Sequence, residues 1–340
     1  INNLMSIEAI TNTLYDQVIS RLDQSEKTHE TPLFVIIGGV PGAGKTTITN
    51  ALKTKLTKHF ENIPTPEIEK SFIEDIEEEN RIVHDLTDKY CTEPQTNLTD
   101  LTYESHVVNY KTYKTSINDK CLSIRSIGGY DTSIEIETGL TSEDNASICN
   151  VPMDGFHVPM ATLMKYKDAA DFVSKRGSYT TFDSKNYIEF IRILCKILKE
   201  TENYAKVDKK IGFKLRYPGF DHAVGDPRAN TYELSIQSKG LTNPKVIIFE
   251  GLYNLFNEVN FGQDITELLN KYDIPHISYF IDGSDEVLEK RVSVRHLESG
   301  IVKTLDEGVS RFKNNDLKNG ILVRANLIKD KDLIVINNDS

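Results

Sequence analysis

Apolar positions along this chain follow two rhythms. Between residues 6 and 24, Ile7, Ile10, Leu14, Val18 and Leu22 recur at steps of three and four, which puts them on one stripe of a helix. That stripe predicts an N-terminal helix, within residues 1–31, packed on the rest of the molecule. Elsewhere the apolar runs are continuous: LFVIIGG (33–39), ICNVPMDG (148–155), KVIIFEG (245–251), HISYFIDG (276–283) and DLIVINN (332–338). Each has the length of a strand, and a strand that does not alternate is covered on both faces, as in a parallel sheet between helices. TTITNALKTKLTKHF, NYIEFIRILCKILKE (186–200), ITELLNKY (265–272) and DEVLEKRVSVRHLES (285–299) supply the helical pattern between them. The expected fold is α/β, a doubly wound parallel sheet with helices on both faces, occupying residues 32–340 and carrying a lid over 285–320.

From Ile63 to Ser147 this rhythm is lost. Pro64, Pro66, the acidic run IEDIEEEN and the turn-like IGGYD predict an insertion of part helix and part short strands, residues 63–147. Most of the charge is here. Lys and Arg number 40 against 51 Asp and Glu, a net −11, while 13 acidic and 3 basic residues between Glu61 and Ser105 give −10 by themselves. Nucleic acid and anionic membrane surfaces require clustered positive charge, so neither is expected as a partner. The acidic run reads as a solvated face, with a docking surface for a protein partner as the alternative. Cys91, Cys121, Cys149 and Cys195 show neither metal-ligand nor disulfide spacing and are expected to be free thiols. No apolar run approaches the roughly 20 residues of a bilayer span. The start lacks the layout of a signal peptide, although opening on Ile1 leaves room for an upstream targeting segment. A soluble, cytoplasmic protein is expected.

One loop carries definite chemistry. Gly39, Val40, Pro41, Gly42, Ala43, Gly44, Lys45 and Thr46 fit Gly-x-x-x-x-Gly-Lys-Ser/Thr between a predicted strand and a predicted helix, with Thr47 following. Glycines let the backbone curl so that successive N–H groups face one anion, and the helix start adds its positive dipole end. Lys45 can reach the β- and γ-phosphates, and the Thr46 hydroxyl suits Mg²⁺. A bound nucleoside triphosphate, ATP with Mg²⁺, is expected.

The remaining residues choose the use of that triphosphate. Asn270-Lys271-Tyr272-Asp273 imitates a guanine-reading motif but ends a helical pattern instead of following a strand, and no aspartate begins an Asp-x-x-Gly switch. Small-molecule kinases need a carboxylate to take the acceptor's proton and cations to neutralise the transferring phosphoryl group. Asp154 follows a strand and so stands at the carboxyl edge of the sheet, where open α/β folds bind ligands; a plain Asp-Gly turn is the alternative. Glu250 ends another strand and can hold Mg²⁺ or touch the acceptor. Arg291 and Arg295 are four residues apart on one helix face, with His296 beside them, and suit a lid delivering charge; an exposed basic face is the plainer reading. KRGSYTTFD (175–183) and LRYPGFDHAVGDP (215–227) read as loops, which makes Arg176, Arg216, Tyr217, Asp221 and His222 acceptor-side candidates. His157 joins them from the Asp154 turn.

VPMDGFH, KRGSYTTFD, YPGFDHAVGDP, FEGLY and RVSVRHLESG, in this order, resemble the P-loop kinases related to uridine kinase, phosphoribulokinase and bacterial pantothenate kinase, most nearly their fungal ATP-dependent kinase branch. The resemblance runs from about Pro32 to the end, apart from the insertion. It implies ATP, Mg²⁺ and transfer to a hydroxyl of a small molecule. It also implies Asp154 as the acceptor-side aspartate, Glu250 as the glutamate of a Glu-Gly pair and Arg176 as a substrate-loop cation. Arg291 and Arg295 then correspond to lid residues and Tyr217 to Asp226 to the acceptor segment. The branch brings an association with endoplasmic reticulum membrane assembly. Gly155-Phe156-His157 departs from the aromatic pair and basic residue of uridine kinases, and the insertion lacks a counterpart in the compact bacterial enzymes.

Two functions therefore stand as expectations. One is a kinase in which Lys45, Asp154, Arg291 and Arg295 are catalytic and Thr46 and Glu250 hold the metal. The other is an ATP-bound regulatory protein with slow hydrolysis that docks partners through its acidic insertion.

Overall fold

The computed structural model describes residues 6–24, 31–61, 71–72, 108–113, 121–126, 128–136, 139–140, 147–208, 210–238, 243–330 and 333–340. The acidic run at 73–80, Cys91 and the docking expectation attached to them lie outside these residues. So does the side chain of Cys121; Cys149 and Cys195 are buried thiols.

Five strands form one all-parallel sheet: β1 (Leu33–Gly39), β7 (Ile148–Pro152), β10 (Val246–Glu250), β11 (His276–Asp282) and β12 (Leu333–Asn337). Their order across the sheet is β12-β11-β1-β10-β7. The central strands β1 and β10 are buried at every position, as continuous apolar runs require. The register sets Ile37 beside Glu250 and Glu250 beside Pro152. β10 and β7 therefore end level while β1 runs two residues further, and the segments leaving these three strands emerge at one edge.

Helices cover this sheet. α2 (Lys45–Glu61) starts at the Gly-rich loop and buries Ile48, Leu52 and Leu56. α1 (Ile7–Gln24) lies on α2 through Ile10, Leu14 and Val18, with Lys55 Nζ donating to Asn12 Oδ1 at 2.6 Å. α3 (Met160–Leu163) and α4 (Ala169–Ser174) are short, and α5 (Ser184–Lys206) is long and amphipathic. After β10 come α6 (Gly262–Lys271), α7 (Asp285–Glu298), α8 (Leu305–Arg311) and α9 (Leu317–Ala325), with a π-helical turn, Phe312–Asp316, joining the last two.

A second sheet goes beyond what the sequence pattern predicts. β3 (Val108–Tyr113), β4 (Cys121–Ser126) and β5 (Thr132–Ile136) from the insertion pair antiparallel with β8 (Gly212–Asp221) and β9 (Asp226–Gln237), in the order β3-β4-β5-β8-β9. β2 (Ser71–Phe72) and β6 (Gly139–Leu140) form a separate short ladder. The expected loop at 215–227 is in fact a hairpin. Phe213, Leu215 and Tyr217 alternate inward, which is a strand rhythm, and the Pro218-Gly219 step that suggests a loop is a register shift between Tyr217 and Gly219. α5 backs this sheet, with Phe190 against Tyr217 at 5.1 Å between ring centroids.

Candidate active site

The loop after β1 curls as its glycines require. Gly42 and Gly44 have φ of +80° and +84°, values open to glycine and strained for other residues. Each also has a close neighbour: a Cβ would stand 2.7 Å from Val292 Cγ2 at Gly42 and 2.8 Å from Asn338 Nδ2 at Gly44. The loop is therefore held from outside by α7 and by the segment after β12. Asn338, almost fully buried, donates from Nδ2 to Ala43 O at 2.8 Å.

Lys45 lies back over the loop, Nζ donating to Val40 O at 3.0 Å. Loss of solvent lowers its pKa, and the nearby charges of Glu250, Asp154 and Asp316 oppose that while Arg295 adds to it. Thr46 Oγ1 donates to Glu250 Oε1 at 3.3 Å. Burial, followed by the charge of Asp154, pushes the Glu250 carboxyl up to about 7, with Lys45 and Thr46 pulling the other way. Two carboxylates, a hydroxyl and an ammonium thus meet at the edge where β1, β10 and β7 end. A buried carboxylate so raised has too little positive charge nearby to hold it ionised.

Asp154 sits in a 3₁₀ turn, Met153–Phe156, directly after β7. Its side chain is 39% exposed, enough for a ligand to reach it, while Phe156 and His157 behind it are buried. The next residue must be glycine, because a Cβ at Gly155 would enter the van der Waals shell of the Pro218 carbonyl on β8. The Asp-Gly pair is therefore where the second sheet touches the first. His157 Nδ1 lies 2.9 Å from Asp154 O, and its ring lies against Phe182 and Phe220 at 3.9 and 5.1 Å. Burial lowers its pKa, so it stands as a neutral ring behind Asp154.

Comparison with known proteins fits this geometry. A model of the Zeta toxin family matches residues 18–63, the stretch from the end of α1 through the loop and α2. The ATP-dependent kinase YFH7 of Vanderwaltozyma polyspora is 30% identical over 358 residues, covering 93% of this chain and 96% of that protein. The chain belongs to the YFH7 family of ATP-dependent kinases. YFH7 of Saccharomyces cerevisiae strain JAY291 is 29% identical across 97% of this chain and 99% of its own. A crystal structure of Saccharomyces cerevisiae YFH7, described as a P-loop containing kinase with a circular permutation, superposes with a TM-score of 0.70 at 27% identity, covering 97% and 99% of the two chains. A protein of Silicibacter sp. TM1040 described as a fructose transport system kinase shares the fold, with a TM-score of 0.51 at 20% identity over 96% and 98% of the chains.

The chain is thus an ATP-dependent P-loop kinase of the YFH7 family, and the remaining candidates divide. Arg295 faces the site, its charge acting on both Lys45 and Asp316. Arg291 does not: Nη1 donates to Asn338 O at 2.9 Å and Gly42 O at 3.3 Å, and Nη2 bonds Ser340 O. Its donors fix the phosphate loop to the segment after β12. Arg176 is paired with Asp226, which also accepts from Met160 N at 3.0 Å. Its charge acts on His157, which places it on the Asp154 side.

The β8–β9 candidates stand on a hairpin and not on a loop, each with partners of its own or exposed. Arg216 is a strand residue paired with Glu135 at 2.6 Å and Glu233 at 3.0 Å. Tyr217 is core, its hydroxyl donating to Asn150 O at 2.9 Å. Asp221 pairs with Arg228 and accepts from Ala223 N and Val224 N, closing the hairpin turn. His222 is exposed at its tip. The structure adds residues that motif and spacing miss: Asn338, Asp316 and the asparagines beside Asp316. Asn338 does carry a signal, since it follows an apolar strand at the same sheet edge as Asp154.

Proposed function

We propose that this kinase transfers the γ-phosphoryl group of ATP to a hydroxyl of a small molecule, with Asp154 as the group that orients the hydroxyl and takes its proton. The observation that carries this reading is the meeting of Asp154, Glu250, Lys45 and Thr46 at one sheet edge, with Asp154 the more open of the two carboxylates. A carboxylate beside the phosphate cradle yet accessible suits proton transfer from an incoming hydroxyl. Lys45 and Arg295 neutralise charge that spreads over the phosphoryl oxygens. Asn338 and Arg291 keep the loop in its curled form, so its N–H groups need no rearrangement when phosphate arrives.

The donor set suits Mg²⁺. Thr46 and Glu250 offer hard oxygens within 3.3 Å of each other, and Mg²⁺ commonly takes one or two protein oxygens, completing its shell with phosphate and water. The raised Glu250 carboxyl marks where positive charge is wanted. When bound, the ion supplies charge neutralisation on the phosphate oxygens.

The test is a metabolite-pool screen with γ-labelled ATP and Mg²⁺. Label entering a small-molecule fraction supports the reading, and the labelled compound names the acceptor. Label found only as inorganic phosphate, under conditions of confirmed ATP binding, contradicts it.

A further inference from the structure

The catalytic cations have a neighbour that neither the phosphate loop nor the acceptor turn supplies. Asp316 ends the π-helical turn between α8 and α9, the kind of local widening that recurs at functional sites. Gly320, one helical turn later and on the same face, packs on the phosphate loop: a Cβ there would stand 3.5 Å from Val40 Cβ and 3.7 Å from Pro41 Cδ. Asp316 is thereby seated above the loop. The turn and the start of α9 are tied to one segment, Asn315 Nδ2 donating to Arg176 O at 3.2 Å and Asn319 Nδ2 to Gly177 O at 3.4 Å.

Around Asp316 stand Lys45 from α2, Arg295 and His296 from α7 and Arg311 from α8, with Tyr253 following β10. His296 Nε2 is 3.7 Å from Asp316 Oδ2, and burial together with Arg311 and Arg295 depresses its pKa to about 4, so it is neutral and does not compensate the carboxylate. Asp316 Oδ2 and Arg311 Nε are buried without a hydrogen-bond partner. Buried ionic groups are ordinarily hydrogen-bonded as well as paired. Burial raises the Asp316 pKa against the pull of Arg295, Arg311, a backbone hydrogen bond and Lys45, so the cations hold the carboxylate only in part and its Oδ2 makes no directional bond.

A carboxylate placed among the cations that meet phosphate, with one oxygen left unbonded, is easily replaced. We infer that Asp316 is a stand-in counter-ion: it balances Lys45, Arg295 and Arg311 while the phosphate loop is empty and gives them up to the γ-phosphate of ATP. It is a positioning residue, acting through the cations and touching no reacting atom. A second negative charge beside these cations also sets a threshold, since a nucleotide must bring enough charge of its own to displace it. Asp316 thus weakens ATP binding and weakens ADP binding less, because the γ-phosphate is the group it opposes.

The inference rests on the triphosphate lying on the Gly39–Thr46 loop, and equilibrium binding of ATP and of ADP to the full chain separates the two. Asp316→Asn keeps shape and removes charge; it should tighten ATP by about threefold to tenfold, the effect of one partly screened charge, and ADP by clearly less. Asp316→Glu keeps the charge and should bind both nucleotides as the parent does. A weakened ATP affinity in Asp316→Asn, an equal change for ATP and ADP, or Asp316→Glu behaving like Asp316→Asn would each overturn the inference. If Lys45→Ala left ATP affinity unchanged, the phosphate-loop reading would fall and this one with it. A strong Lys45 effect beside an inert Asp316 would overturn this inference alone.

Discussion

In the antiparallel sheet, charged side chains lie along the strands and find partners at the surface: Arg216 sits between Glu135 and Glu233, and Lys214 pairs with Glu233 at 2.9 Å. In the parallel sheet they gather past the strand ends, where Glu250 is buried with a raised pKa beside Asp154, and Lys45 folds onto its own loop. The first arrangement is complete without anything else. The second leaves charges that a phosphate and a cation would balance. Unequal satisfaction of similar residue types separates scaffold from site here, because perturbed buried charges cluster at functional sites. The two sheets meet at Gly155, so the scaffold holds the position of Asp154.

Substitutions can break this contrast, the largest effect first. Lys45→Ala should weaken ATP binding by about 100-fold, the scale of a lost charge-assisted contact to phosphate, as read by calorimetric titration; the fold itself should be retained. Gly155→Ala should cost about 2 kcal/mol of stability, because the Cβ meets backbone that cannot turn aside. Denaturant unfolding checks this, and an unchanged midpoint would mean that the sheets are not locked at this turn.

Glu250→Gln addresses the unbalanced side. The carboxyl is raised from 4.5 to about 7 in the fold, so between those values the folded state holds the proton more than the unfolded state does. Stability therefore falls as pH rises from about 4.5 through about 7, and the glutamine variant loses that fall. Thermal melts of the ligand-free proteins at pH 5 and pH 8 should show the variant gaining on the parent by about 1–2 kcal/mol at the higher pH. A constant difference between them would place no unbalanced charge at Glu250. Smallest of all, Arg216→Ala removes surface ion pairs and should cost under about 1 kcal/mol with ATP affinity unchanged. A change in ATP affinity would blur the division between the two sheets.

The parallel sheet is legible in the sequence because its signals are local. β1 spans the same residues, 33 to 39, as the run LFVIIGG, and the Gly-rich loop needs only its own glycines and the helix after it. Asp154 and Glu250 are legible because strand ends in such a sheet converge by topology. The antiparallel sheet is not, since its strands come from separated parts of the chain and Pro218-Gly219 interrupts the alternation that would reveal β8. Arg216, Tyr217, Asp221 and His222 therefore read as loop residues in the sequence and stand on a hairpin in the structure. The partners of Arg291 are hidden for another reason. Helical spacing puts it on the same face as Arg295, but the backbone carbonyls of Gly42 and Asn338, brought near by tertiary packing, take its donors. Asp316 gives no signal in sequence, because a π turn shifts residues off the regular helical register.

The central claim is that Asp154 serves transfer and not ATP binding, and Asp154→Asn tests it most directly. With γ-labelled ATP, Mg²⁺ and a small-metabolite extract, the variant should bind ATP within about twofold of the parent yet lose label transfer by about 100-fold or more, within the range of general-base contributions. Transfer at the parent's rate, with ATP binding intact, would contradict the claim and take Asp154 out of the chemistry.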